Sequence, residues 1–119
     1  MKRPISIVCL CGSTKFKEDF LFLQKEYTLR NYIVLSVGFF GHADDEQLTM
    51  ETKAELDILH LAKIDLAHEV CIISVDGYIG ESTRREIAYA NWLDKRIYNK
   101  NRLSSFRVGH YTVTDISNI

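Results

Sequence analysis

A single proline occurs in the 119 residues, at position 4, so from residue 5 onward no ring interrupts a helix or a strand. No uninterrupted apolar run is long enough to span a bilayer, and Met1-Lys2-Arg3-Pro4 leads into a strand-like segment without a signal-peptide cleavage pattern. A cytoplasmic protein with no membrane partner is expected. A formal charge of -1 gives no general attraction to nucleic acid backbones, so no nucleic-acid polymer is expected as a partner. Cysteine is scarce and odd in number: Cys9, Cys11 and Cys71 all lie inside apolar runs, which reads as buried reduced thiols. Cys9 and Cys11 share one face of a strand, but no finger-like Cys/His spacing completes a metal site, and no metal or other cofactor is implied.

What is present suits one soluble domain over residues 1–119, with 46% hydrophobic and 26% charged residues. Charge is uneven. Residues 42–81 carry ten acidic and two basic groups, and the flanking thirds are mildly basic, a pattern that reads as a solvated helix face.

Residues 5–11 (ISIVCLC) form a continuous apolar run of the kind found in a strand buried on both faces. The run stops at Gly12-Ser13-Thr14. Phe16, Phe20, Leu23 and Tyr27 then mark one stripe of a helix with Thr14 as its N-cap, ending at Asn31. Residues 32–37 give a second strand. The loop that follows, with Phe39 and Phe40 between Gly38 and Gly41, reads equally as a base-stacking lid or as a plain connection. A second helix is expected over 47–69, with Leu48, Leu56, Leu59, Ala62 and Leu66 on one face and Lys53, Asp57, His60 and Ile64 on another. Residues 70–75 make a third strand, 83–93 a third helix and 96–98 a short fourth strand. Residues 106–113 suit an edge strand.

This alternation predicts an α/β fold: a small doubly wound, Rossmann- or flavodoxin-like parallel sheet of four or five strands with helices on both faces. Strand 1 then lies beside strand 3, and ligands bind outside the carboxyl ends at that switch point. The two loops meeting there, 12–15 and 77–86, are the most specialised of the chain. In the first, Gly12, Ser13 and Thr14 suit an anion at a helix N-terminus, with Lys15 adding charge. The GxxxxGK[ST] spacing of a Walker loop is absent. In the second, Thr83 and Glu86 fit a capping box, whereas a Glu86 aimed into the crevice would be a nucleophile. Asp76 suits either a sugar-hydroxyl acceptor or a turn before Gly77; Tyr78 sits beside the site, and Tyr89 reads as packing.

Three stretches together carry a family resemblance. Leu10-Cys11-Gly12-Ser13-Thr14-Lys15-Phe16 resembles a phosphate-gripping Cys-Gly-Ser-x-Arg turn. Ala67-His68-Glu69-Val70 matches a small-Asp-hydrophobic strand start, and Ser82-Thr83-Arg84-Arg85-Glu86-Ile87-Ala88-Tyr89-Ala90 resembles Gly-Thr-x-x-Glu-hydrophobic-Gly-Tyr-Ala. The chain thus resembles, over about residues 5–98, the nucleoside 2-deoxyribosyltransferase-like superfamily, which includes deoxynucleoside 5′-monophosphate N-glycosidases. The resemblance implies that Glu86 attacks the anomeric carbon. It also implies that Gly12, Ser13, Thr14, Lys15 and Ser82 hold a phosphate, and that His60, with Asp57 one turn earlier, stands where the family places its sugar-binding Asp. It implies a nucleoside or nucleotide substrate, hydrolysis or base exchange, and a homodimer or higher homo-oligomer, with the tail from Asn99 crossing over. Departures are Lys15 for arginine, Cys9 for tyrosine, and Gly80 where free-nucleoside transferases often carry Asp. Glu81 sits beside the expected phosphate. A non-catalytic nucleotide-binding or sensing module on this fold is the alternative, and a phosphoribohydrolase lacking its Pro-Gly-Gly run a weaker one.

Overall fold

The computed structural model describes residues 4–103. Four strands, β1 (Ile7–Gly12), β2 (Ile33–Leu35), β3 (Glu69–Ile73) and β4 (Arg96–Asn99), alternate with helices α1 (Lys17–Leu29), α2 (Met50–Leu66) and α3 (Glu81–Trp92). All pairings are parallel and the order is β2-β1-β3-β4, so β1 lies beside β3 as the doubly wound reading requires. Residues 106–113, expected as an edge strand, lie outside the described residues.

The apolar runs form the inner strands because each presents a hydrophobic side chain to both faces of the sheet. Val8, Leu10, Cys71 and Ile73 face Phe20, Leu23 and Tyr27 of α1, the stripe read from the sequence. On the other face, Cys9, Cys11, Val70, Ile72 and Ile97 meet Ile64 of α2 and Ala90 of α3. No described helix is long and apolar enough to cross a membrane.

Several local expectations change. Helix α1 starts at Lys17, capped by the Phe16 backbone; Thr14 is not its N-cap, since its Oγ1 accepts the His42 N–H at 3.2 Å. The helix ends where Asn31 turns left-handed, φ 67°. Phe40 is tucked in edge-on to Phe20 at 5.6 Å, which favours the plain connection over a lid. Helix α2 runs from Met50, where the Thr49 hydroxyl accepts the Thr52 N–H, and stops before Ala67, so its termini are shorter than the expected 47–69.

The structure decides which way α2 faces. His60 and Ile64 are its buried residues, while Leu59 is 52% and Leu66 66% exposed. Apolar residues cover most of this helix's circumference, so periodicity alone does not choose the inward side. The stripe bearing Asp57, His60 and Ile64 is the one laid on the sheet.

Candidate functional site

Gly12 ends β1 opposite Ile73. A Cβ at this position would stand 2.7 Å from the Ile73 carbonyl oxygen, so the close approach of β1 to β3 needs glycine. Ser13 to Phe16 then form a turn, with the Phe16 N–H donating to the Ser13 carbonyl at 3.0 Å and the Lys15 N–H to Ser13 Oγ at 3.3 Å. The Lys15 ammonium lies 3.4 Å from the centre of the Tyr78 ring, and Phe16 meets the same ring edge-on. The two loops expected to meet at the switch point do so through Tyr78.

Asp76 and Gly77 both have positive φ, 53° and 78°, and the Tyr78 N–H donates to the Val75 carbonyl. This is the Asp-Gly turn of a tight hairpin excursion, which explains both residues without a ligand. The Asp76 side chain is exposed. Ser74 Oγ braces the excursion by donating to the Tyr78 carbonyl at 2.9 Å.

Helix α3 begins at Glu81 with Gly80 as its N-cap, and no side chain caps it. Thr83 and Glu86 therefore do not form a capping box. Thr83 sits in the first turn, buried, and Glu86 in the second, 8% exposed, turned toward the sheet. Burial raises the Glu86 carboxyl to about 7, against the opposing pull of His60. Among the described residues, no lysine or arginine pairs with it.

Beneath Glu86, His60 Nε2 lies 3.4 Å from Cys11 Sγ and 3.6 Å from Cys9 Sγ. All three cysteines are free and buried. The hydrogen bond from Cys11, aided by His60, draws the Cys9 thiol down to about 6 against the effect of burial. Burial acts to lower His60, but its hydrogen bond to Cys9 and the charges of Cys9 and Glu86 outweigh this, leaving the histidine raised. Burial pushes the Cys11 thiol upward, so Cys9 is the member of the pair that favours the thiolate. A carboxylate, an imidazole and two thiols thus share one small volume under the carboxyl end of β1.

At the rim, Asp57 pairs with Arg85 at 3.4 Å and Lys53 at 3.7 Å, and Lys53 Nζ donates to Ser82 Oγ at 3.1 Å. This polar seam holds α2 against α3. Asp57 and Ser82 therefore stand near the site with partners of their own. Tyr89 donates to Asp65 at 2.6 Å and stacks on Trp92, a packing role away from the loops.

Cys9 and Cys11 were recognisable as sharing a face, and His60 as singular on α2. Their convergence was missed because 49 and 51 residues separate His60 from the two thiols. Compared with known proteins, the chain matches no family model, and no curated protein matches it.

Proposed function

We propose that the chain is a cytoplasmic enzyme that cleaves the N-glycosidic bond of a (deoxy)nucleoside or its 5′-monophosphate, with Glu86 as nucleophile. One observation carries this reading: a buried carboxylate, freed from any capping role, sits beneath the junction of the β1 and β3 loops. The resemblance to the 2-deoxyribosyltransferase-like superfamily names the chemistry. A Glu86 oxygen attacks the anomeric carbon, the C–N bond breaks, and the base leaves with the electron pair and takes up a proton. Water then cleaves the glycosyl ester and regenerates the carboxylate; a second base in place of water gives exchange.

His60 turns its Nε2 to the thiols and influences Glu86 through charge, a different role from the ribose contact implied by its position in the family pattern. Glu86→Gln should lower base release by on the order of 10³-fold or more, as expected for loss of a covalent nucleophile. Turnover close to wild type would sink the assignment. Adding a second free base and looking for a new nucleoside separates exchange from hydrolysis.

A second reading, a non-catalytic nucleotide-binding or sensing module on the same fold, rests on the departures from the family pattern at Cys9, Lys15 and Gly80. Thermal stabilisation by nucleotides with no base release after long incubation selects that module.

A further inference from the structure

We infer that Cys9, Cys11 and His60 form a binding site for a zinc ion. The inference stands on the arrangement of these three side chains and goes beyond the glycosidic reading of Glu86. Residues two apart on a strand project to the same face, so β1 presents both sulfurs side by side toward α2. Their Cα atoms are then about 6.6 Å apart, at the outer edge of the range a disulfide can bridge. Helix α2 lays His60 across the pair, and the three donor atoms all lie within 4.8 Å of one another.

The spacing matches a shared ion. Zinc–sulfur bonds of about 2.3 Å and zinc–nitrogen bonds of about 2.0–2.1 Å give tetrahedral N–S edges of about 3.5 Å. The observed Nε2–Sγ separations are 3.4 and 3.6 Å. A core cysteine ordinarily packs as a small hydrophobe. Here a buried imidazole aims one nitrogen at two sulfurs in the middle of a hydrophobic face, an arrangement that packing alone does not require.

Charge decides between thiophilic metals. Two thiolates and a neutral imidazole around a divalent ion sum to zero, which suits two cysteines with no solvent exposure beside a buried histidine. Copper(I) on the same donors would leave a buried negative charge. Three protein ligands leave one tetrahedral position, open to water or to a fourth ligand. His60 and Glu86, at 6% and 8% exposure, mark the side from which an ion enters.

The test uses the full chain, purified, stripped with a chelator and reloaded. Zinc should bind at one equivalent. Cobalt(II) should give the thiolate charge-transfer band and the intense visible bands of a tetrahedral site. Cys9→Ser, Cys11→Ser and His60→Gln should each weaken zinc by more than about 100-fold, beyond the 10–100-fold typical of losing a supporting partner. Wild-type protein that takes up no stoichiometric zinc and shows no cobalt–thiolate band overturns the inference, whether or not the variants fold. Folded serine variants that bind zinc like wild type, or a site that takes copper(I) and not zinc, overturn it equally. None of these readouts depends on base release, so a failed metal site and a failed nucleophile are told apart.

Discussion

Glu86 and Asp76 are both carboxylates near the carboxyl ends of the inner strands, and their surroundings give them opposite characters. Glu86 is held away from water without a lysine or arginine to pair it among the described residues, a costly placement that a merely structural helix does not need. Asp76 is exposed and left-handed, in a turn for which Asp-Gly is a preferred dipeptide. Asparagine tolerates that conformation at least as well. Asp76→Asn is therefore expected to leave the melting temperature within experimental error and, in an activity assay, to leave KM unchanged. A KM increase without loss of stability would return Asp76 to the ligand site.

At the scale of elements, β3 begins with an ion pair that nothing in the local pattern announces. Arg102 donates to Glu69 at 2.6 Å with both side chains 1% exposed, and the same guanidinium donates to the Tyr32 hydroxyl at 3.0 Å and covers the Tyr98 ring. The pair fastens the segment after β4 to the start of β3 and to β2. Arg102→Met removes the cation and strands a buried carboxylate, so chemical denaturation should show a loss of about 3–5 kcal/mol. Adding Glu69→Leu should recover most of that loss, since a buried pair replaced by apolar groups is close to neutral. A single variant as stable as wild type would show that the pair does not anchor the segment. Helix α2 teaches a related lesson. Leu56, Leu59, Ala62 and Leu66 share one of its faces, yet the sheet takes the side with His60 and Ile64, where β1 leaves room for an imidazole above two small thiols.

For the molecule as a whole, Ile58, Leu59 and Leu66 remain 68%, 52% and 66% exposed on the outer side of α2. Apolar side chains left to water in this way favour self-association. Light scattering at micromolar concentration should then give a dimer or larger, and Leu59→Glu should shift it toward monomer without lowering secondary-structure content. A monomeric wild type would show that this side stays in water.

The sheet was legible in the sequence because its signals are local. The apolar runs at 5–11 and 70–75 read as strands buried on both faces, and their alternation with helices implies parallel pairing, with strand 1 beside strand 3 as the usual order and as observed. The two meeting loops were legible for the same reason, since topology alone brings them to the switch point. The role of Glu86 in its helix was not. Thr83 and Glu86 fit a capping box as well as a nucleophile aimed into the crevice, and the helix in fact starts two residues before Thr83, at Glu81. Tertiary structure alone decided that His60 meets Cys9 and Cys11, that Glu86 lies over them, and that Glu69 finds Arg102. Each of these contacts joins residues far apart along the chain, where spacing carries no information and burial selects the partners.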